Sequence, residues 1–226
     1  MRVHGHRGTR LRLAENTIPA FEYAIAVGAD GIEMDLQATR AGVVVVSHEP
    51  VLADGKAIHE LCRAEAASLP SLDEVLELAA HGAFVFNLEI KSYPDRPELS
   101  LAPADFARLV WERIRAHGVE GRTIVQSFDF RTLIAMRALA PEIPLSALTE
   151  DDPRPYAEIA REAGGTEMVS PQLSLVTGEK VAAAHAAGLE VMAWTANRQV
   201  EWEALAAAGV DVVITDDPAG LLAWRG

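Results

Sequence analysis

Short runs of β-branched and aliphatic residues alternate along the whole chain with alanine-rich runs of helical spacing, and this alternation constrains the fold more than any other feature. The predicted strands are Arg2–His6, Gly31–Leu36, Ala83–Lys91, Arg122–Phe128, Ile143–Leu148, Met168–Gln172, Glu190–Thr195 and Asp211–Asp216. The predicted helices are Thr17–Val27, Leu72–Ala80, Asp105–His117, Phe130–Ala140, Pro155–Ala163, Gly178–Ala187, Glu201–Ala208 and Pro218–Trp224. Strands that are each followed by a helix predict an α/β protein with the (β/α)8 TIM barrel architecture. An open doubly wound sheet is the alternative, but it usually carries a glycine-rich nucleotide loop after its first strand, and residues 6–10, HRGTR, are not such a loop.

The segment after the second predicted strand departs from this simple alternation. A further apolar run, Val43–Ser47, is followed by Pro50–Pro70, which has the composition of loops and turns. We interpret residues 43–71 as an extra hairpin arm and a short insertion. No linker rich in Pro, Gly or Ser, no internal repeat and no low-complexity tract interrupts the chain, so residues 1–226 are predicted to form one barrel domain.

The composition narrows the classes of partner. The chain has 20 Lys and Arg against 33 Asp and Glu, a formal net charge of −13, which argues against a nucleic-acid partner because that needs clustered basic residues. The single cysteine, Cys62, excludes an internal disulfide framework and a cysteine-based zinc site. No apolar run reaches the roughly 18 residues of a membrane span, and residues 1–10 hold no apolar core of a signal peptide, so we expect a cytoplasmic protein. A small-molecule substrate and a homo-oligomer are both compatible with the sequence.

Charged residues stand late in two predicted strands, where barrel strands are normally apolar. In the second strand Glu33 and Asp35 alternate with apolar residues, so both carboxylates share the face toward the barrel interior. In the third predicted strand the same rule places Asn87, Glu89 and Lys91 on the interior face. A late position corresponds to the carboxyl-terminal mouth of the barrel, where the active sites of this fold lie.

Carboxylates in a partly dry mouth repel one another, so their negative charge needs an opposite charge nearby. Three interpretations of these carboxylates remain open from the residues alone. Pairing with Arg7 or Lys91 would give a purely structural ion network. A divalent metal on Glu33, Asp35 and Glu89 would have all-oxygen ligands, which favour Mg²⁺ or Ca²⁺. A glycosidase could use two carboxylates as acid and nucleophile, but that mechanism leaves the histidines unexplained.

Two histidines end extended segments at the same predicted mouth. His6 ends the first strand and His48 ends the arm after the second strand. Because histidines titrate near neutrality, such a pair could serve as general acid and general base. The planar fork of Arg7 and the charge of Lys91 could grip a phosphate, so the set fits phosphoryl chemistry better than sugar or acyl chemistry. His4 lies one layer deeper on the same strand face, and we interpret it as a core residue.

Five motifs occur in a specific order along the chain. They are HRG at residues 6–8, ENT at 15–17, GADGIEMD at 28–35, a histidine at 48 and NLEIK at 87–91. The chain then carries WT at 194–195 and TDDP at 215–218. In this set and order the sequence resembles the glycerophosphodiester phosphodiesterase family across essentially its whole length. The resemblance implies a TIM barrel with a small insertion, and the hydrolysis of glycerophosphodiesters, which are deacylated phospholipids, to glycerol 3-phosphate and an alcohol.

The resemblance also implies roles for individual carboxylates and histidines. It implies one divalent metal ion, Mg²⁺ or Ca²⁺, held by Glu33, Asp35 and Glu89. It implies that the general acid and base are His6 and His48, without saying which is which. The nucleophile, whether water or the glycerol 2-hydroxyl through a cyclic phosphate, is also left open.

Further residues receive supporting roles by the same resemblance. Arg7 and Lys91 would hold the phosphate, and Arg7 would also polarise it as part of the catalytic group. Glu15 would support the metal or the geometry of the site, and Asn16 would order its loop, although Asn16 also fits the N-cap of the next helix. Glu49 follows the second histidine where the family usually has Asp, so a supporting carboxylate is displaced by one methylene.

Two aromatic residues complete the predicted site. Phe128 and Trp194 follow the fourth and seventh predicted strands, and either could line the glycerol side of the substrate. Trp194 could also face a quaternary ammonium head group.

Two other functions remain as alternatives. A lysophospholipase D on the same barrel would need an exposed apolar surface for an acyl chain. A non-catalytic protein that binds phosphate esters would need a broken site.

Overall fold

The strands form a closed parallel barrel with one additional antiparallel strand. The computed structural model describes residues 1–226. Its strands are β1 (Arg2–Gly5), β2 (Gly31–Ala38), β3 (Val44–Val46), β4 (Val85–Ile90), β5 (Thr123–Ser127), β6 (Leu145–Thr149), β7 (Met168–Pro171), β8 (Glu190–Ala193) and β9 (Val212–Thr215). The order around the barrel is β1, β2, β4, β5, β6, β7, β8 and β9, and the pairing of β9 with β1 closes the ring. The predicted TIM barrel is confirmed.

Helices follow the barrel strands and cover the outside of the ring. They are α1 (Ile18–Ala26), α2 (Arg63–Ala66), α3 (Leu72–Glu77), α4 (Pro103–His117), α5 (Phe130–Leu139), α6 (Tyr156–Glu162), α7 (Gly178–Ala186), α8 (Gln199–Ala208) and α9 (Pro218–Arg225). In α4 the apolar residues at helical spacing, Phe106, Val110 and Ile114, are fully buried on one face, as their periodicity predicts. None of the helices has the length and apolar character needed to cross a bilayer.

The main apolar core lies between the barrel and its helices. Ile32, Met34 and Leu36 of β2 are fully buried in this layer, and the alternation of the strand therefore turns Glu33 and Asp35 toward the barrel axis. A second, smaller apolar cluster fills the barrel interior, and it consists of Ile124, Met168, Met192, Val212 and Ile214. The barrel is closed below by this cluster, so the polar residues late in the strands lie at the open mouth.

Residues 43–71 form the arm that follows β2. The strand β3 pairs antiparallel with the end of β2, with Val46 opposite Leu36. The rest of this segment contains a 3-10 turn at Ile58–Glu60 and the single-turn helix α2, where the sequence predicts only loop and turn. One helical turn is too short to show a periodicity, and α2 is instead stabilised by the Cys62 N–H, which donates to Glu65 at 2.8 Å.

Candidate active site

A cavity of about 190 Å³ opens at the carboxyl-terminal ends of the barrel strands. Its wall includes most of the residues predicted from the sequence, namely His6, Arg7, Glu33, His48, Glu89, Lys91, Phe128 and Trp194. Asp35 is fully buried beside them. Glu15 and Glu49 lie outside the wall, and each contacts a residue in it, Arg7 and His48 respectively. The structure therefore brings the predicted residues to one place.

The three carboxylates expected to bind a metal form one buried cluster. Ligand oxygens of Glu33, Asp35 and Glu89 all lie within 4.8 Å of one another. Their exposed fractions are 1%, 0% and 6%. The β2–β4 register explains the proximity, because Asp35 stands directly opposite Glu89 and Glu33 opposite Asn87. A cluster with only carboxylate donors suits Mg²⁺ or Ca²⁺.

Two basic side chains enter this cluster without neutralising it. The Nε of Arg7 lies 2.9 Å from Oδ2 of Asp35. The Nζ of Lys91 lies 3.0 Å from Oδ1 of Asp35 and 2.6 Å from Oε1 of Glu89. By distance these are ion pairs, but the Asp35 Oδ1 and Glu89 Oε1 atoms receive no aligned hydrogen bond. When all three carboxylates are ionised, the two cations leave one negative charge in excess, and a further cation would satisfy both that charge and the unmatched acceptor atoms.

The pKa values of the three carboxyl groups are driven apart by the same environment. Burial, and then the charges of Asp35 and Glu89, raise the pKa of Glu33 well above its usual range. Burial also raises the pKa of Glu89, to about 7, although Lys91 opposes the shift. Burial would raise the pKa of Asp35 too, but Lys91 and Arg7 outweigh it and hold this pKa at about 2. Without a further cation the cluster therefore retains protons near neutrality.

Asn16 holds the buried aspartate of the cluster from the β1–α1 loop. Its Nδ2 donates to Oδ2 of Asp35 at 2.8 Å, and its Oδ1 accepts from the Asp35 backbone N–H at 3.4 Å. The alternative interpretation of Asn16 as the N-cap of α1 is wrong, because Thr17 occupies that position and accepts from the Ala20 N–H. Asn16 adopts a φ of 57°, a left-handed conformation that Asn tolerates better than most residues.

The HRG turn positions Glu33 through backbone geometry. The N–H of Arg7 donates to Oε2 of Glu33 at 2.9 Å, and Nε2 of Gln126 lies 3.4 Å from Oε1 of the same carboxylate. Gly8 has a φ of 85°, and a Cβ there would lie 2.6 Å from the Ala20 backbone. A side chain at this position would force the turn away from α1, so the glycine is required for this close approach. Sequence reasoning missed Gln126, whose only signal is a polar residue on an interior strand face.

His6 is held by a carboxylate from the other end of the chain. Its Nδ1 lies 2.6 Å from Oδ1 of Asp216, which follows β9. Asp216 is itself fixed by Asn197, whose Nδ2 donates to its Oδ2 at 2.7 Å. Burial lowers the pKa of His6, and the hydrogen bond to Asp216 opposes that shift. This arrangement leaves the Nε2 edge of the ring for the cavity. Asp216 belongs to the TDDP motif, yet the sequence assigned it no role.

His48 has a more open environment on the arm after β3. Its backbone carbonyl accepts from Nε2 of Gln37 at 3.1 Å, which fixes the residue at the mouth. Its Nδ1 lies 2.7 Å from Oε1 of Glu49, and that carboxylate is 74% exposed. The two histidines therefore each have a carboxylate partner, but only the partner of His6 is largely enclosed by protein.

Aromatic side chains form the wall away from the carboxylate cluster. The rings of Phe128 and Trp194 meet edge to face, with centroids 5.6 Å apart and an interplanar angle of 86°. The Nε1 of Trp194 donates to the Ser170 carbonyl at 2.8 Å, which fixes the orientation of the indole. Glu150, directly after β6, also lines the cavity, and sequence reasoning missed it because an acidic residue after a strand is common on protein surfaces.

Comparison with known proteins identifies relatives that cover the whole site. The model of the glycerophosphoryl diester phosphodiesterase family matches residues 6–220. A glycerophosphodiester phosphodiesterase of Caldanaerobacter subterraneus is 30% identical over 240 residues, which cover 97% of this chain and 96% of the relative. One from Bacillus altitudinis is 31% identical over 244 residues, covering 96% and 95%. The family match spans every residue that lines the cavity.

A solved structure shares the same fold. An Oleispira antarctica phosphodiesterase, determined in complex with its product sn-glycerol-3-phosphate, superposes with a TM-score of 0.87. The superposition covers 99% of this chain and 96% of that one, at 22% sequence identity. At this level of identity the likeness shows the fold alone.

Proposed function

Because this chain belongs to the glycerophosphoryl diester phosphodiesterase family, whose members are phosphoric diester hydrolases, we propose that it hydrolyses glycerophosphodiesters to glycerol 3-phosphate and an alcohol with a divalent metal and a histidine pair. The observation that supports this proposal most is the composition of one cavity. Two buried carboxylates, Glu33 and Glu89, two basic groups and two histidines line the same small space, and Asp35 lies buried directly behind them. The Oleispira antarctica phosphodiesterase, of the same fold, binds glycerol 3-phosphate, the product expected here.

The carboxylate cluster would hold the metal. The donors would be Glu33, Asp35 and Glu89, and the unmatched buried oxygens, Oδ1 of Asp35 and Oε1 of Glu89, fit a cation that prefers oxygen ligands. A metal held there would supply positive charge that polarises the phosphate. A purely structural ion network is the less favourable interpretation, because Arg7 and Lys91 leave the cluster one negative charge in excess when all three carboxylates are ionised.

Arg7 and Lys91 would bind the substrate phosphate from the same side. Both line the cavity, and both are already fixed by ion pairs to Asp35, so little side-chain entropy is lost when an anion binds. Their positive charge opposes the charge that develops on the phosphate oxygens as the reaction proceeds. The enclosed position of Arg7, whose side chain is 11% exposed, strengthens this electrostatic effect.

The histidines would move the protons. One histidine accepts the proton of the nucleophile as its oxygen forms a bond to phosphorus. The bond from phosphorus to the head-group oxygen breaks, and the other histidine donates a proton to that leaving alkoxide. The carboxylate partners of His6 and His48 orient the rings, and Asp216, at 2.6 Å from Nδ1 of His6, also stabilises the charged form of that ring. The nucleophile is water or the glycerol 2-hydroxyl, and a trapped cyclic phosphate would identify the second route.

The test is product release from defined substrates. Purified protein is incubated with glycerophosphocholine or glycerophosphoethanolamine and with Mg²⁺, Ca²⁺ or excess chelator, and glycerol 3-phosphate is measured. We expect release that stops on chelation and returns when the metal is restored. Release that survives full chelation would remove the metal from the proposal, and no release under any condition would favour a non-catalytic protein that binds phosphate esters.

Variants test the histidine pair. His6→Ala and His48→Ala should each lower turnover on the order of 100-fold or more, as the loss of acid–base catalysis typically does. His185→Ala is the matched control, because this histidine lies on α7 outside the cavity wall, with its side chain 42% exposed and its ring paired with Asp211. A wild-type rate in either cavity variant would remove that residue from the mechanism.

A lysophospholipase D activity is the second candidate, favoured by an apolar surface beside the mouth. Leu11 and Leu13 of the β1–α1 loop are 63% and 40% exposed. They line a neighbouring cavity of about 420 Å³ together with Glu15 and Asp216. An acyl chain could contact this surface while the phosphate reaches the side of the cavity that carries Arg7, Lys91 and the carboxylate cluster. Choline release from lysophosphatidylcholine that falls in Leu11→Asp, with glycerophosphocholine hydrolysis unchanged, would support this second candidate.

A further inference from the structure

Glu150 is an acidic residue in the cavity that the proposed chemistry does not use. It lies directly after β6 and shares the cavity wall with Phe128 and Trp194. Its neighbour Asp152 is ion-paired with Arg154 at 2.6 Å, whereas the Glu150 carboxylate has no basic partner in the structure. Asp35 and Glu89 pair with the basic side chains of Arg7 and Lys91, and the buried Glu33 accepts from the Arg7 backbone N–H, whereas the charge of the exposed Glu150 is left to solvent or to a ligand.

The barrel order separates Glu150 from the carboxylate cluster. The cluster is carried by β2 and β4, which are neighbours in the ring, whereas Phe128, Glu150 and Trp194 follow β5, β6 and β8. A phosphodiester carries two substituents on one phosphorus atom. When its phosphate lies at Arg7 and Lys91, one substituent extends toward the β5–β8 part of the mouth.

The wall at that part of the mouth has the chemistry that recognises an organic cation. The rings of Phe128 and Trp194 pack against each other edge to face, both line the cavity, and Phe128 remains 43% exposed, so aromatic surface is open at this wall. Aromatic faces attract ammonium groups through their quadrupole, and quaternary ammonium ions are bound in this way. A carboxylate without a basic partner adds a full opposite charge at the same wall.

We propose that Phe128, Trp194 and Glu150 form a subsite for a positively charged amino-alcohol head group, primary or quaternary, and that Glu150 selects it over an uncharged polyol. This subsite rests on the proposed function, because it assigns the head group of the same diester. Glu150 touches the substrate but moves no proton and breaks no bond. The phosphate at one side of the cavity and the ammonium at the other would fix the diester between opposite charges.

The test compares two substrates that differ in head-group charge. The value of kcat/KM is measured for glycerophosphocholine and for glycerophosphoglycerol in the wild type, in Glu150→Gln and in Glu150→Lys. The ratio of the two values should fall about 3- to 5-fold in Glu150→Gln, the size of a solvent-exposed ion pair, and about tenfold or more in Glu150→Lys. Asp151→Asn is the matched control, because Asp151 is exposed, adjacent and outside the cavity wall, and its ratio should stay at the wild-type value.

Salt and direct binding give independent readouts. The effect of Glu150→Gln should shrink at about 1 M NaCl, where exposed charges are screened beyond roughly 3 Å. Choline alone should quench tryptophan fluorescence of the wild type and do so more weakly in Glu150→Gln and in Trp194→Leu. An unchanged substrate ratio in Glu150→Lys, or an equal loss on both substrates, would overturn the subsite. If the wild type hydrolyses neither diester, the proposed function fails, and the choline titration still decides whether the cation binds.

Discussion

Binding of Mg²⁺ or Ca²⁺ should expel protons from this protein, and the number expelled should fall as the pH rises. The reason lies in the carboxylate cluster, whose ligand oxygens crowd within 4.8 Å in a buried site. Burial raises the pKa of Glu89 to about 7 and also raises that of Glu33. Carboxylates bind a metal in their ionised form, so any proton held by the metal-free cluster must leave when the cation enters.

The magnitude follows from the raised pKa of Glu89. With a pKa of about 7, this carboxyl is about nine-tenths protonated at pH 6, about half protonated at pH 7 and about one-tenth protonated at pH 8. Glu89 alone therefore contributes about half a proton per metal ion at pH 7, and Glu33 adds to the release in the same direction. The Glu89 contribution alone should raise metal affinity by up to about tenfold per pH unit below pH 7, and this contribution should flatten above about pH 8.

Isothermal titration calorimetry in buffers of different ionisation enthalpy measures this release, because the observed heat then depends on the buffer in proportion to the protons transferred. Titrations at pH 6, 7 and 8 should show a decreasing dependence. In Glu89→Gln the release at pH 7 should fall by about half a proton, and the metal should bind more weakly. Glu49→Gln is the control, since that carboxylate is 74% exposed and outside the cluster. Metal binding to the wild type without proton release at pH 6 would refute the reasoning.

Three further predictions concern the groups around the cluster. Asp216→Asn should lower kcat on the order of 100-fold, and it should move the limb of the pH–rate profile that depends on His6 to lower pH. The shift is expected because the Asp216 carboxylate raises the pKa of His6, and a limb that stays in place would contradict this. Glu49→Gln should lower kcat less than about tenfold, because water can replace its exposed carboxylate beside His48, and a loss equal to that of Asp216→Asn would count against the argument. Asn16→Gly should lower Tm in thermal denaturation by about 3 to 10 °C, because the hydrogen bond to the Asp35 carboxylate is lost. Asn16→Ala should lower Tm further, because alanine is strained at the left-handed φ of 57°, and a higher Tm for Asn16→Ala than for Asn16→Gly would contradict this.

The parts of the fold that were predictable depend on local periodicity. The β runs and helical runs follow from the spacing of apolar residues, and α4 matches its predicted span closely, with Gly118 ending it in the left-handed conformation. The single-turn helix α2 was missed because four residues do not complete a repeat. The N-cap of α1 was open to two interpretations because Asn16 and Thr17 are adjacent and both favour caps, and only the Asp35 contact distinguishes them.

The sequence by itself determined which face of β2 and β4 carries charge. Side chains alternate along a strand, so Glu33, Asp35 and Glu89 had to leave the apolar helix layer and enter the barrel. That the cluster faces histidines and basic groups also followed from position, because active-site residues of barrels stand at the ends of their strands.

Only the tertiary structure decided which distant groups pair at the mouth. Closure of the ring pairs β9 with β1 and places Thr215 opposite Gly5, so that Asp216 reaches His6 although 210 residues separate them. The strand order likewise puts Glu150, Phe128 and Trp194, which follow three different strands, in the wall of one cavity. Periodicity specifies the direction of a side chain on its own element, whereas the partner of that side chain depends on strand order and register, which no local pattern contains.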